Sequence, residues 1–372
     1  MTQTLEGLRA GMAGAVLTPD DLKGAPEKSA AAADGPPLSA VLFQMTTGTM
    51  VSQAVSVAAR LGVADVLADG PRPVEEIAES VEADPSALYR LLRAVADLGL
   101  FSELENRHFE LAPLGELLRT EVDGSLRGWA TMVGMPFARD SWTDLYMSVK
   151  TGEPAFERVH GEDLFSYLAK HPDDAAIFNE AMRFVSTGVL TGLVEAYDFS
   201  RFRTIVDVGG GTGALLAAIL QANPETRGVL VDRPDVLSGA APVLRAAGVI
   251  ERVETVAGDF FQAVPEAGDL YVLSNIIHDW GDADAVRILQ ACHQAMSDDG
   301  RLVIVELVLP DGVEPSMAKL ADLEMLALTP GGRQRTISEY AGLLEQAGLR
   351  LTDAVAATSG RSASYVEARP EA

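Results

Sequence analysis

Cysteine is nearly absent: Cys292 stands alone among 372 residues. One cysteine excludes an intramolecular disulfide and a cysteine-rich zinc site. Basic residues are scarce as well. Lys and Arg total 29 against 54 Asp and Glu, for a formal net charge of -25. A chain this acidic repels a phosphate backbone, so no nucleic-acid partner is expected. No apolar run reaches the ~18 residues of a membrane span, and the N-terminus lacks a basic-then-apolar leader pattern. No membrane partner and a cytoplasmic location are therefore expected. No HxH or HExxH spacing supports a metal site, so none is expected. What the chain does have is apolar residues, 48% of the total, enough for a sizeable core and too many for global disorder. The acidity is spread out: -2 over residues 1–40, -6 over 41–120, -7 over 121–200 and -10 over 201–372. It reads mainly as solubility.

Residues 1–40 are dominated by Ala, Gly and Pro, a composition that cannot offset its own ordering entropy. They read as a disordered tail with room for a short helix near Leu5–Ala15. Helical periodicity begins at about Leu42 and stops at Gly62. A second helix starts at Pro73, and a third opens after Asp84 as N-cap with the stripe Leu88, Leu91, Leu92, Val95 and Leu98. Two short strand-like runs follow, around the polar turn Glu105-Asn106-Arg107. Three helices and a hairpin over residues 41–120 spell a winged-helix unit. Such units often bind DNA, but this one holds six Lys/Arg against twelve Asp/Glu. Dimerisation is the expected role. Residues 121–200 read as further helices rich in large apolar groups, most of them expected in the core.

From Arg203 the pattern changes to α/β. Runs at Thr204–Val208, Gly228–Val231, Val253–Val256, Leu270–Leu273 and Leu302–Val305 alternate with helical stretches, and Leu349–Val355 with Ala363–Glu367 looks like an edge hairpin. The fold class expected is α/β: a doubly wound, Rossmann-like domain over 201–372, preceded by the mostly helical winged-helix domain.

After the first strand comes Asp207-Val208-Gly209-Gly210-Gly211-Thr212-Gly213. Glycines at Gly209, Gly211 and Gly213 let the backbone turn sharply and approach a ligand before a helix begins. The loop fits a nicotinamide dinucleotide or S-adenosyl-L-methionine. Asp207 favours the second, because a carboxylate there suits a cationic amino group and repels a pyrophosphate. Asp232, at the end of the second strand, is placed to accept from two ribose hydroxyls. Asp259 and Phe260 follow the third strand, where they suit an adenine amino group and ring; Asp259 alternatively caps a helix. Ser274 ends the fourth strand and joins the cofactor-binding set. Beyond it lies His278-Asp279-Trp280, at the carboxyl end of a strand where open α/β sheets keep their active sites. His278 is the candidate general base, able to take a proton from a phenol. Glu306, ending the fifth strand, is expected to accept from the ring N–H of His278 and fix its tautomer.

These motifs, with the late Gly331-Gly332-Arg333-Gln334-Arg335-Thr336, resemble the class I S-adenosylmethionine-dependent small-molecule O-methyltransferases of the plant caffeate/chalcone type, in particular their actinomycete counterparts acting on polyketides, phenols and antibiotics. The resemblance spans about residues 42–368. It implies a homodimer joined through the N-terminal domain and a small aromatic hydroxylated substrate. It also implies Trp280 against the adenine, Ser186 near the cofactor carboxylate, Met182 clamping substrate near the sulfonium and Met325 lining the acceptor pocket. Phe165, Phe178 and Asp279 complete the expected substrate set. The family pattern has Glu between the two late arginines, where it positions the histidine; this chain has Gln334, which hydrogen-bonds without adding charge. N- or C-methylation and cofactor-assisted hydroxylation stay open on the same fold. An NAD-dependent oxidoreductase and a winged-helix regulator are the remote alternatives.

Overall fold

The computed structural model describes residues 36–122, 124–266, 268–356 and 364–371, and within the helix Pro172–Ala196 it leaves out the side chains of 184–192 and 195. Residues 1–35 of the tail expected over 1–40, the short helix near Leu5–Ala15 and the Ser186 side chain lie outside the described residues. The chain forms two compact units, divided between Pro136 and Phe137.

In the first unit the leading helix is Leu38–Leu61, so the last residues counted with the tail are helical. Pro37 fixes the entry and Gly62, at φ 70°, ends the helix in the left-handed conformation. Helices Val74–Ser80 and Pro85–Ala96 follow. Asp84 caps the latter by accepting from the Ala87 N–H at 2.8 Å. Its Leu88, Leu92 and Val95 are buried with Ile77, Phe101 and Phe109, whereas Leu91 and Leu98 sit at the margin. Strands β1 (Arg72–Pro73), β2 (Phe101–Glu103) and β3 (His108–Leu111) form an antiparallel sheet in the order β1-β3-β2. Its turn puts Asn106 and Arg107 at φ 56° and 58°, the primed geometry that suits a tight hairpin. The helix Arg127–Gly134 packs on the first helix, with Ser56 Oγ donating to Thr131 O at 3.1 Å. A Cβ on Gly134 would lie 2.0 Å from Ser56 Oγ. This unit therefore runs past residue 120.

The second unit begins with short helices and then builds a seven-stranded sheet. Strands β4 (Thr204–Val208), β5 (Arg227–Asp232), β6 (Val253–Ala257), β7 (Leu270–Ser274) and β8 (Arg301–Val305) run parallel. Val308–Leu309 is β9 and Arg335–Thr336 is β10, a separate parallel pair. Leu349–Val355 is β11 and Tyr365–Pro370 is β12. The main order is β11-β12-β8-β7-β4-β5-β6. The expected edge hairpin is thus half interior: β12 sits between β8 and β11, and its Tyr365–Ala368 are all buried, while β11 forms the edge. Two apolar cores cover the faces, one around Tyr271, Ile304 and Tyr340, the other around Ile205, Leu216 and Val303. Among the large middle residues expected in the core, Met132 and Phe137 are buried but Trp142 and Tyr146 are exposed. From β4 the chain steps outward to β5 and β6, then returns to β7 and β8 on the other side. The reversal opens a crevice beyond the carboxyl ends of β4 and β7.

Candidate active site

A cavity of about 510 Å³ fills that crevice. The glycine loop after β4 forms its floor. Gly209, Gly211 and Gly213 have φ of 71°, 61° and 80°, a region costly for any side chain with a Cβ. Gly209 and Gly211 line the cavity, whereas Gly213 is the N-cap of the helix Ala214–Ala222 and packs against Leu230. Asp207 is fully buried in the wall. Neither of its carboxylate oxygens makes a hydrogen bond of normal geometry, although the Leu216 amide lies near enough to lower its pKa slightly. Desolvation and the neighbouring Asp232 push Asp207 up to about 7.

Asp232 is held differently. One oxygen accepts from the Gly211 N–H at 2.8 Å and the other from the Arg233 N–H at 2.7 Å. Burial raises its pKa against the pull of those amides. Asp259 accepts from the Phe261 N–H and the Gln262 side-chain amide, both at 2.9 Å, so it holds its own turn as well as lining the cavity. Asp235 and Asp279 bring the carboxylates in the wall to five, against Arg183 and Arg233. Such a site favours a cation and disfavours a pyrophosphate.

Aromatic side chains close one end. Trp280 stacks on Phe165 at 5.8 Å and meets Phe261 edge-on at 4.7 Å. Phe260 lies 6.2 Å from Trp280, also edge-on. Phe165, expected on the acceptor side, therefore belongs to the same aromatic group as Phe260 and Trp280: an arm from the helix Leu164–Lys170 covers the indole. Phe178, Met182 and Ser274 line the cavity as well. Met325 does not; it is buried within the helix Ala318–Leu328.

His278 is not among the residues that line the cavity; it precedes Asp279 in the short turn Ile277–Asp279. Asp279 lines the cavity. The ring Nε2 lies 3.6 Å from Asp279 Oδ1, and Nδ1 lies 3.1 Å from Gln334 Nε2. Glu306 does not reach the ring, contrary to its expected role. Its Oε1 accepts from the backbone N–H groups of Ile276 and His278 at 3.1 and 3.0 Å, and its Oε2 accepts from the Tyr340 hydroxyl. With both oxygens bound there, it fixes the loop backbone. Burial, and after it the Glu306 carboxylate alongside, push the Tyr340 phenol well above its ordinary range and keep it a donor. Gln334 is brought to His278 by the β9–β10 pair and by Arg335, whose guanidinium donates to Ile277 O, Trp280 O and Asp282 at 3.0, 2.8 and 2.8 Å. Gly332 allows the close approach, since a Cβ there would lie 2.6 Å from His278 O.

Sequence reasoning did not single out four further groups. Asn275 lines the cavity at φ 53°, a strained conformation that Asn tolerates best. Tyr340 reaches Glu306 from the helix Ile337–Gln346. Arg183 enters the wall from the long helix. Glu324 lies close enough to interact with His278 and Asp279, and burial pushes it up to about 7. Asp279 is pushed up to about 6, first by burial and then by Glu306, while His278 pulls it down. Among the described residues no cluster of three or more His, Cys, Asp or Glu could hold a metal ion, and no helix is long and apolar enough to cross a membrane.

Comparison with known proteins gives a consistent answer. The family model for an O-methyltransferase domain matches residues 142–350, and that for an O-methyltransferase dimerisation domain matches 43–121. A phenazine O-methyltransferase of Lysobacter antibioticus is 46% identical over 334 residues, covering 90% of this chain and 97% of its own. An 8-amino-8-demethylriboflavin N,N-dimethyltransferase of Streptomyces davaonensis is 40% identical, over 82% of this chain and 89% of its own. A solved O-methyltransferase from neocarzinostatin biosynthesis, in complex with S-adenosylmethionine and 2-hydroxy-5-methyl naphthoic acid, matches with a TM-score of 0.74 and 32% identity, over 91% of this chain and all (100%) of that one.

Proposed function

The chain belongs to the O-methyltransferase family, whose cofactor is S-adenosyl-L-methionine and whose substrates are small secondary metabolites, and from that premise we propose that it methylates a hydroxyl of a small aromatic compound, with His278 as the residue that handles the acceptor's proton. The observation that carries this reading is the buried Asp207 carboxylate, which lacks a hydrogen-bonded partner in an acid-lined crevice floored by glycine. Its chemistry calls for an ammonium group. When bound, the cofactor supplies a methyl group on cationic sulfur. Gly209, Gly211 and Asp207 would hold its amino-acid end, Asp232 its ribose, and Asp259, Phe260 and Trp280 its base. Met182 and Phe178 would lie towards the acceptor.

His278 is tied on its backbone side by Glu306 and on its ring by Gln334. Such fixed placement is what a group acting on one proton of a bound acceptor requires. An amine acceptor is the second reading, favoured by the N,N-dimethyltransferase relative. Incubating the protein with S-adenosyl-L-methionine and a panel of hydroxylated and aminated phenazines, naphthoates and benzoates, with product mass and fragmentation as readout, tests both. Methylation of the amines alone would overturn the hydroxyl reading.

We also propose a homodimer through the first unit. Its leading helix exposes Leu42, Phe43, Met45 and Met50, between 58% and 74% accessible, an apolar face that a single copy leaves in water. The double substitution Leu42→Glu with Phe43→Glu should turn a dimer into a monomer by light scattering; a wild-type monomer would sink the proposal.

A further inference from the structure

Gln334 is buried, and its Oε1 has no hydrogen-bond partner, while its Nε2 lies 3.1 Å from His278 Nδ1. The amide has two orientations. With Nε2 towards the ring, Gln334 donates, Nδ1 accepts, and the imidazole proton sits on Nε2, facing Asp279 Oδ1 at 3.6 Å. Turned over, Oε1 would accept from an Nδ1–H, and an NH₂ group with two donors would occupy the partnerless position. One unpaired carbonyl oxygen is the smaller penalty, and the Asp279 carboxylate favours a hydrogen on Nε2. The groups facing the ring from other elements point the same way. Glu324 comes from the helix Ala318–Leu328, Glu306 is spent on backbone N–H groups and Tyr340, the Arg333 guanidinium pairs with Glu339, and that of Arg335 is turned to Ile277 O, Trp280 O and Asp282.

We propose that Gln334 is a positioning residue that keeps His278 in the Nε2–H form in the ligand-free protein, so that the ring first meets the acceptor as a hydrogen-bond donor, takes its proton only after the amide turns over, and is matched to hydroxyls acidic enough to offset that turn. This rests on the methyltransferase reading for the acceptor, but not for the tautomer. The acceptor class is a phenol on an electron-poor ring, which passes its proton to Nε2 readily once the Gln334 amide has turned over and Nδ1 carries the hydrogen. A weakly acidic phenol makes the same transfer less readily and is methylated more slowly.

The test is a long-range ¹H–¹⁵N correlation spectrum of the full-length protein labelled at histidine, at pH 8, with His278→Asn identifying the signals. Nδ1 should resonate far downfield of Nε2, as an unprotonated nitrogen does, and Gln334→Glu should place a proton on Nδ1. A wild-type spectrum with Nδ1 protonated and Nε2 bare would overturn the proposal. So would no change in Gln334→Glu. Should that variant fold poorly, the wild-type spectrum decides alone. Binding of S-adenosyl-L-methionine, measured by calorimetry on the same sample, reports separately on the enzyme assignment.

Discussion

The two halves of the sheet end in loops built on different plans. Beyond β4, β5 and β6, polar groups face the cavity with capacity to spare. Asp207 has no hydrogen-bonded partner, and Asp232 uses each oxygen once. Beyond β7 and β8, polar groups are mostly spent on one another. Glu306 takes three donors, Arg335 satisfies three carbonyls and Asp282, and Gln334 takes up the His278 ring. The first plan leaves work for a ligand to finish. The second holds one imidazole still. Binding and reaction are thus assigned to different strands, and substitutions should separate them.

The sharpest break is expected at His278. His278→Ala should lower methyl transfer by about 10²–10⁴-fold, the usual contribution of a placed proton-handling group, with cofactor affinity within about twofold by calorimetry. Equal loss of both would erase the distinction between the halves. Asp232→Ala should do the reverse, weakening cofactor binding by roughly 10- to 100-fold through lost charge-assisted hydrogen bonds, with a smaller effect on turnover at saturation.

Asp207 gives the next effect, through pH. Its pKa of about 7 in the ligand-free protein means that it holds a proton below pH 7, while a bound ammonium group needs the carboxylate. Affinity for S-adenosyl-L-methionine should therefore rise severalfold from pH 6 to about pH 7.5 and fall again above about pH 8, where the ligand's own α-ammonium group loses its proton, with proton release on the rising limb visible in buffers of different ionisation enthalpy. Asp207→Asn should abolish the rising limb. The same linkage lowers the stability of the ligand-free protein as pH rises from about 4 to 7, because the unfolded carboxyl ionises first. Smallest is Tyr340→Phe. Removing the donor to Glu306 Oε2 should lower unfolding stability by about 1–3 kcal/mol in urea titration and reduce turnover severalfold, leaving cofactor affinity alone.

Where local pattern decides, the sequence was legible. The glycine loop announces itself because φ near 70° admits few other residues, and the β-branched runs Thr204–Val208 and Leu302–Val305 became buried parallel strands. Asp84 as N-cap needed only its neighbours. What sequence could not convey is which of several partners a side chain takes across the fold. Glu306 was assigned to an imidazole N–H and found two peptide N–H groups and a phenol from a distant helix. Phe165 was assigned to the acceptor and found Trp280, which is more than a hundred residues away in sequence. Gln334 is visible as a departure from the family pattern, but its unpaired oxygen depends on which groups the fold brings around it.

The placing of β12 bears on how the active site is assembled in time. It is the last strand of the sheet to be synthesised, yet it lies inside the sheet, paired with β8 on one side and β11 on the other. Until it docks, β8 is an open edge, and the parallel strands already made are exposed to wrong pairing. Glu306 follows β8 directly. The sequence-distant segment Tyr365–Pro370 thus covers the edge of the strand that leads into Glu306, and with it the support beneath His278.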